Sequence, residues 1–389
     1  MTDRSAVRSR RSSARRSEQA SGAGSTSRMF VLAVPGLATL VRRELADLPG
    51  IHVTDTGNDG RADVLLCEVD PGRERALLEL RSVEDVFVEL GRTLRTEGDR
   101  PPWIARRLLR PARLTSAVNL WRRQSGAGQP RRGRREGPPT YRVVARVLQE
   151  RAWNRTELRR ALSGGVAAAE PSWRTTDPAQ LELWALEYAR GRFVAGLRLT
   201  TAAMRQHGGR RSERPGALRP TVAAAMVALA RDPAARATRP VRGRGSTSAG
   251  MLLDPCCGSG TILAEAKASG WGVEGRDIDP SAVSASRRNA SVASVHQGDA
   301  RELDLDDASV DACVSNLPFG RQYGVQGEPG AWLADVLSEM ARVTRTAGKV
   351  VLLVPDIPKA AIPAGLRLRD RHPLRLLGAS TAIWVYERR

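Results

Sequence analysis

The alternation of apolar and polar positions divides the first 200 residues into two small α+β units. In the first unit, residues 29–96, apolar runs predict strands and apolar residues at helical spacing predict helices. Its predicted elements are, in order, a strand, a helix, a strand, a helix and a strand, over residues 29–34, 37–48, 63–69, 74–80 and 85–90. The second unit, residues 97–202, is predicted to contain a basic helix, a strand, a helix, a strand or helix edge and a strand, over residues 103–114, 141–147, 156–168, 180–189 and 192–199.

Polar segments lie on either side of these units and within the second one. Residues 1–28 are rich in Ser, Arg and Gly and have almost nothing to bury, so we expect a disordered basic tail. Residues 124–139 are a Gly/Pro/Arg loop that is long enough to be disordered. After a polar stretch over 203–216, strands and helices alternate to the C-terminus. This alternation predicts a parallel α/β sheet in a third domain, residues 203–389.

A glycine turn follows the first apolar strand of the third domain, in the run Leu252-Leu-Asp-Pro-Cys-Cys-Gly-Ser-Gly-Thr. Gly258 and Gly260 let the backbone approach a ligand, and the helix that begins at Thr261 presents free N–H groups. Asp254, just upstream, is placed where a carboxylate can meet an ammonium group. Neither a third glycine nor a P-loop lysine is present, which argues against a dinucleotide or ATP site.

Acidic residues also end the next two predicted strands. Asp277 comes roughly twenty residues after the glycine turn, where an acid can bind ribose hydroxyls, and Ile278 follows it. Asp279, which precedes a proline and a helical pattern, is interpreted as a helix N-cap. Asp299, followed by Ala300, ends the third strand, where a carboxylate can accept a hydrogen bond from an adenine amino group.

These three motifs, in this order and at this spacing, resemble those of the Rossmann-fold methyltransferase family over residues 214–389. The resemblance implies an α/β domain with a mostly parallel sheet and a C-terminal antiparallel hairpin. It also implies S-adenosyl-L-methionine as the cofactor. The residues expected to bind the cofactor are Thr221, Asp254, Gly258, Gly260, Thr261, Asp277, Ile278, Asp299 and Ala300. A degenerate domain without a nucleotide is the alternative.

The next apolar strand ends in Asn316-Leu-Pro-Phe319, which resembles the [Asp/Asn]-Pro-Pro-[Tyr/Phe] motif of amino-group methyltransferases. An exocyclic amine conjugated to its ring is a poor nucleophile because its lone pair is delocalised. If the Asn316 side-chain oxygen and the Leu317 carbonyl each accept one N–H, the lone pair can point at the sulfonium methyl group. Pro318 fixes the local backbone, and Phe319 can stack on a flipped base. The alternative is a plain strand-ending turn. The motif itself does not distinguish guanine N2, adenine N6, cytosine N4 or a glutamine amide.

Charge adds a polyanionic partner to this picture. The formal net charge is +20, and residues 106–160 alone hold 16 arginines against three glutamates. This density predicts a surface that faces phosphates. The four cysteines lack zinc or redox spacing and no apolar run is long enough to span a bilayer. We therefore expect no metal, no membrane association and a cytoplasmic location, and we expect a monomer.

The N-terminal half also resembles THUMP-containing guanine-N2 RNA methyltransferases. Residues 29–45 and 80–86 resemble their ferredoxin-like domain, residues 142–199 the THUMP domain, and residues 214–224 the segment that leads into the catalytic domain. The resemblance implies a tRNA methyltransferase that modifies guanosine N2 in the acceptor stem, with RNA bound by the THUMP module. The arginine-rich insert at 122–139 departs from the family pattern. Two alternatives stay open: a ribosomal RNA or DNA amino-group methyltransferase, and a non-catalytic RNA-binding protein.

Overall fold

The computed structural model describes residues 26–93, 100–125, 137–148, 152–207, 216–231, 250–291, 294–318, 329–376 and 378–389. The predicted disordered tail, apart from its last three residues, lies outside these residues. So does most of the predicted loop over 124–139. The first strand begins at Ser27, two residues earlier than the sequence pattern predicts.

The N-terminal half is built on one sheet of eight strands. They are β1 (Ser27–Ala33), β2 (Ile51–Asn58), β3 (Asp63–Val69), β4 (Val83–Arg92), β5 (Thr140–Arg146), β6 (Arg174–Thr175), β7 (Leu181–Ala189) and β8 (Arg192–Arg198). The sheet order is β2-β3-β1-β4-β8-β7-β5-β6, and among the described strand pairs only those of β5 with β6 and β7 are parallel. Because β4 pairs with β8, the two units predicted from the sequence share a single sheet.

Helices cover one face of this sheet. They are α1 (Ala38–Ala46), α2 (Glu74–Glu79), α3 (Pro101–Leu108), α4 (Pro111–Ser125) and α5 (Arg155–Ala169), followed by the short α6 (Ala202–Arg205). Side chains alternate along each strand, so Met29 and Val31 belong to the core under the helices, whereas Phe30 and Leu32 belong to a second core.

The second core is enclosed by the sheet itself, which curls until β2 contacts β7. A Cβ on Gly57 would stand 2.0 Å from the carbonyl oxygen of Tyr188, so the two backbones touch and only glycine fits. Inside the curl the rings of Phe30 and Phe87 stack with 4.6 Å between their centroids. The hydroxyl of Tyr188 donates to Asp55 at 2.9 Å, which joins the two strands at the rim.

One predicted element of this half is wrong in detail, and one strand was missed. The single basic helix expected over 103–114 is two helices, and the chain is extended at Leu109, with φ −111° and ψ 102°. Pro111 explains why no helix continues through this point, because proline has no N–H to donate and disfavours a helical conformation at Arg110, the residue before it. Strand β2 was not predicted, since its sequence, with His, Asp, Thr and Gly among the apolar residues, lacks a sustained apolar face. The ambiguous stretch over 180–189 is strand β7.

The C-terminal half is a second sheet of seven strands with helices packed on it. The strands are β9 (Met251–Asp254), β10 (Gly272–Asp277), β11 (Val295–Gln297), β12 (Val310–Asn316), β13 (Thr344–Val354), β14 (Leu366–Leu376) and β15 (Ala379–Arg388). The helices are α7 (Pro220–Leu229), α8 (Thr261–Ala268), α9 (Pro280–Ala290) and α10 (Pro329–Val343), and a 3₁₀ turn spans Lys359–Ala361. The order is β11-β10-β9-β12-β13-β15-β14, parallel through β13 and antiparallel in the last two strands. This confirms the expected fold class.

The two halves pack against each other through a continuous apolar core and a partly buried ion pair. Glu265 of α8 is 2% exposed. It accepts hydrogen bonds from Arg81 Nε at 2.6 Å and Nη2 at 3.0 Å, and His207 Nδ1 lies 2.9 Å from it. A Cβ on Gly36 would stand 2.0 Å from the carbonyl oxygen of Pro373, so the first unit also touches β14 directly. The helix that follows the glycine turn is therefore anchored to the N-terminal half.

Candidate active site

The glycine turn joins the end of β9 to the start of α8. Gly258 and Gly260 have φ of +50° and +78°, in the left-handed region that favours glycine. A Cβ on Gly260 would stand 2.4 Å from Ser286 Oγ, so packing against α9 requires glycine there. Among the described residues, no atom beyond the chain neighbours lies within 4 Å of a Cβ placed on Gly258. The turn is therefore packed against α9 at Gly260 and has free space at Gly258. This space lies just ahead of the N-terminus of α8, where Thr261 is buried.

Asp277 ends β10 beside this turn. Its Oδ2 accepts from the Gly258 N–H at 2.8 Å, and its Oδ1 accepts from the Asp279 N–H at 3.0 Å. The next side chain, Ile278, is 67% exposed, which is unusual for a large apolar residue and leaves a bare surface for a flat ring. Asp279 accepts from the Ser281 N–H at 2.8 Å, so the predicted N-cap of α9 is confirmed.

Asp254 is the buried acid of the site, with 1% of its surface exposed. Its Oδ1 accepts from Ser315 Oγ at 2.7 Å and from the Cys256 N–H at 3.2 Å. Burial raises the pKa of this carboxyl to about 7, the nearby charge of Asp277 adds to the rise, and the two hydrogen bonds oppose it. A cation bound beside Asp254 would favour the ionised form.

Asp299 lies just after β11 and is partly exposed. Arg301 binds both its oxygens, with Nε 3.1 Å from each and Nη2 2.7 Å from Oδ2, and the Arg301 N–H donates to Oδ1 at 2.9 Å. These hydrogen bonds hold the pKa of Asp299 below its usual range. The carboxylate is therefore ionised, and because Arg301 makes two of these hydrogen bonds to each oxygen, a further N–H would share an oxygen with Arg301. Ala300 beside it is buried.

Asn316 is the last residue of β12. Its Oδ1 is buried and, within the described part of the chain, has no hydrogen-bond partner. An unpaired buried acceptor costs about 1–3 kcal/mol, so it calls for an explanation such as a ligand that satisfies it. Leu317 is 1% exposed and Pro318 follows it. Phe319, the predicted stacking residue, lies outside the described residues.

The sheet brings these side chains to one edge. Asp299, Asp277, Asp254 and Asn316 stand at or just after the carboxyl ends of β11, β10, β9 and β12, which are neighbours in that order. The chain order reverses between β9 and β12, and ligands of open parallel sheets bind at such a point. Thr221, predicted from the segment before the domain, is buried in the first turn of α7, a helix that packs against α8.

Two contributors were not predicted from the sequence. Ser315 is 0% exposed and bonds to Asp254, which lies 61 residues away in the sequence. Asn289 of α9 donates from Nδ2 to the carbonyl oxygen of Ser259 at 2.9 Å and so fixes the glycine turn. Ser315 directly precedes Asn316 in the sequence, and this adjacency could have indicated that Ser315 lies near the site. Nothing in the local sequence marks Asn289.

The neighbouring cysteines do not supply a nucleophile. Burial, together with the charge of Asp254, raises the pKa of both Cys256 and Cys257, so both thiols stay protonated. Among the described residues, no group of three His, Cys, Asp or Glu side chains could hold a metal ion. Within the same residues, every helix is too short or too polar to cross a membrane.

The described arginines within residues 106–160 fall into two groups. The two on strand β5 pair with acids: Arg142 with Glu182 at 2.9 Å, and Arg146 with Asp59 at 2.7 Å. Those on and between the helices α3, α4 and α5 form no ion pair in the described part of the chain, and all but the half-buried Arg113 are exposed. We call this set the helical arginine surface: Arg106, Arg107, Arg110, Arg113, Arg122, Arg123, Arg155, Arg159 and Arg160. Among the described residues, this surface is the part of the predicted phosphate-facing region that remains available to a partner.

Known proteins resemble this chain in both sequence and fold. The UPF0020 family, described as an RMKL-like methyltransferase domain, matches residues 207–363. U6 snRNA (guanine-N(2))-methyltransferase THUMPD2 of Bos taurus is 34% identical over 148 residues, 36% of this chain and 26% of that protein. The tRNA (guanine(10)-N2)-dimethyltransferase of Methanothermobacter thermautotrophicus is 29% identical over 178 residues, 43% of this chain and 48% of that protein. TrmN from Thermus thermophilus has the same fold, with a TM-score of 0.69 at 23% identity over 93% of this chain and 99% of that one.

These matches confirm the methyltransferase domain and the resemblance to guanine-N2 RNA methyltransferases that the sequence motifs indicated. The aligned part of the chain spans between a quarter and a half of the two curated relatives.

Proposed function

We propose that this protein transfers a methyl group from S-adenosyl-L-methionine to the exocyclic N2 of a guanosine in RNA, with tRNA as the substrate. The observation that carries the proposal is the buried acceptor of Asn316, which is unpaired among the described residues and lies at the same sheet edge as Asp254 and Asp277. An acceptor of this kind suits an amine that arrives from outside the fold. The relatives named for guanine-N2 chemistry support the choice of base.

The residues present fit the cofactor. Asp254 is a buried carboxylate suited to the ammonium group of the methionine part, and Asp277 stands one strand further along for the ribose hydroxyls. The open space at Gly258 admits a ligand close to the backbone. Exposed Ile278 offers an apolar surface to the adenine ring, and Asp299 offers an acceptor to its amino group. When bound, the cofactor supplies an electrophilic methyl group on sulfur.

The residues at the end of β12, Asn316 and Leu317, orient the target amine. Asn316 Oδ1 accepts one N–H and the Leu317 carbonyl accepts the other, so the nitrogen moves towards tetrahedral geometry and its lone pair becomes available. Neither group takes the proton that the nitrogen loses after methyl transfer, because an amide oxygen is not a base at neutral pH, and that proton leaves to water. The two acceptors therefore contribute orientation and electrostatics. Pro318 limits the backbone freedom of the second acceptor.

The helical arginine surface is the proposed contact with RNA. Phosphate contacts hold a nucleic acid in register without reading its sequence, and arginine forms bidentate bonds with phosphate. The surface belongs to the N-terminal half, which the Arg81–Glu265 ion pair connects to the helix after the glycine turn. RNA held by α3, α4 and α5 would then present one base to the edge of the second sheet.

The test is methyl transfer to RNA by Asn316 variants. Asn316→Ala should reduce turnover by at least a hundredfold, on the order of the loss when one oriented donor or acceptor of an active site is removed. Its affinities for cofactor and RNA should stay unchanged, because the contact matters most in the transition state. Asn316→Asp keeps an acceptor and should retain part of the activity. Incorporated label is then assigned to a nucleoside by mass spectrometry.

Each outcome bears on a different part of the proposal. Label in N2-methylguanosine of tRNA supports it in full. Label in ribosomal RNA, DNA or another base overturns the substrate while leaving the methyltransferase in place. Absence of transfer by the wild type to any nucleic acid, with cofactor bound, would favour the RNA-binding alternative. Near-normal turnover of Asn316→Ala would place the active site elsewhere.

A further inference from the structure

We infer that Ser315 is a positioning residue of the methyl-transfer site: its hydroxyl fixes the Asp254 carboxylate and so couples the cofactor side of the site to the strand end that presents Asn316. This inference rests on the proposed function, in which Asp254 meets the cofactor ammonium group. Ser315 itself touches neither the cofactor nor the target base in this account. It acts through Asp254.

The coupling follows from how β9 and β12 pair. They are adjacent parallel strands, with Ala312 opposite Leu252 and Cys313 opposite Leu253. Continuing that register brings Ser315 to the end of β9, and its Oγ lies 2.7 Å from Asp254 Oδ1. The next residue on β12 is Asn316. One short stretch of strand therefore carries both the group that holds Asp254 and the group that is proposed to hold the amine.

Asp254 has few alternatives to this hydrogen bond. Among the described residues no arginine or lysine forms an ion pair with it, and Ser315 is the one side chain that donates to it. The Cys256 N–H is a second donor, and Asp277 is the charged group that acts on it, with an unfavourable sign. Both partners are buried, at 0% and 1% exposure, so water does not readily replace the serine.

Packing alone does not explain this arrangement. Helical serines elsewhere in the chain satisfy their hydroxyls on a backbone carbonyl of their own helix, as exposed Ser338 does on Ala334 at 2.8 Å and exposed Ser284 does on Pro280 at 3.0 Å. Ser315 instead donates across strands to an acid. Because two donors bind Oδ1 of Asp254, they fix the orientation in which the carboxylate would meet a cation.

The test is the pH dependence of cofactor affinity in the full-length protein. Ser315→Ala should bind S-adenosyl-L-methionine roughly tenfold to a hundredfold more weakly near neutral pH, the loss expected for a hydrogen bond to a charged group. Because the Ser315 hydrogen bond lowers the pKa of Asp254, its removal should also move the acid limb of binding to higher pH. Ser315→Thr restores a hydroxyl and should recover part of both. The matched control is Ser82→Ala, which removes the hydroxyl of another buried serine that donates to a carboxylate, that of Glu44 in the N-terminal half.

Calorimetric titration at several pH values on both sides of neutrality gives both readouts, and RNA affinity should be equal in all variants. If wild-type protein binds the cofactor and Ser315→Ala binds it with the same affinity and the same acid limb, Ser315 only fills the core and the inference fails. If wild-type protein does not bind the cofactor, the proposed function fails first. If Ser315→Ala does not fold, Ser315→Cys decides, because a thiol occupies similar space but is a weak hydrogen-bond donor: a displaced acid limb supports the inference, and a wild-type acid limb contradicts it.

Discussion

We expect the Asp254 carboxylate, which is proposed to bind the cofactor, to reduce the stability of the unliganded protein. Burial raises the pKa of its carboxyl from an ordinary value of 3.8 to about 7. The folded state therefore binds the proton more tightly than the unfolded state, so ionisation of this group opposes folding. The destabilisation is absent below pH ~4, grows as pH rises through the interval between the two pKa values, and is complete above pH ~7.

The size of the effect follows from that interval. A shift of about three pKa units at about 1.36 kcal/mol per unit corresponds to about 4 kcal/mol, as an order of magnitude. The amide introduced by Asp254→Asn cannot ionise but keeps an oxygen for Ser315 and for the Cys256 N–H. We therefore expect Asp254→Asn to be more stable than the wild type above neutral pH, and the two to converge in acid.

Thermal unfolding monitored across pH measures this difference, at ~2–4 °C per kcal/mol for domains of this size. Added S-adenosyl-L-methionine should raise the melting temperature of the wild type by mass action and leave that of the variant nearly unchanged. Asp299→Asn is the matched control with the opposite sign, because Arg301 lowers the pKa of Asp299 and the ionised form stabilises the fold. That variant should lose stability above pH ~4.

Equal melting temperatures of Asp254→Asn and the wild type at every pH would refute the claim that a buried charge at this position costs stability. A variant that is more stable but still responds fully to the cofactor would refute the assignment of Asp254 to the ammonium group.

Two further predictions concern the cofactor and the RNA. Asp277→Ala should weaken cofactor binding by on the order of 1.5–3 kcal/mol, the loss expected for charge-assisted hydrogen bonds to ribose, and calorimetric affinity equal to the wild type would exclude the ribose assignment. Replacing Arg122, Arg159 and Arg160 by glutamine should weaken RNA binding and reduce the slope of log affinity against log salt by ~0.7–0.9 for each phosphate that is no longer neutralised. The same replacement at exposed Arg367, on β14, serves as the control, and an equal loss there would contradict an RNA surface on the helices.

Local sequence determined much of the cofactor side of the site. The glycines at 258 and 260 need positive φ, and the acids at 254 and 277 end strands, so the motif and its geometry are encoded within a few residues. The order of strands follows from the alternation of elements, because parallel strands joined by helices place their carboxyl ends at one edge. Asn316 could be proposed for the same reason. The division of the N-terminal half into ferredoxin-like and THUMP-like domains stays a prediction, and the shared sheet shows only that the two units are joined.

Pairings between distant residues were decided by the tertiary structure. The polar strand β2 has no sustained apolar pattern, and part of its burial comes from β7, which lies more than 120 residues away in the sequence. The two strands touch at Gly57 and Tyr188. The dense run of arginines predicted a phosphate surface, but Arg142 and Arg146 are engaged by acids that only the fold brings near. Ser315 and Asp254 are 61 residues apart and meet because β9 and β12 pair. A sequence pattern records each residue's neighbours along the chain, whereas burial and charge pairing depend on neighbours in space, which the packed sheets alone supply.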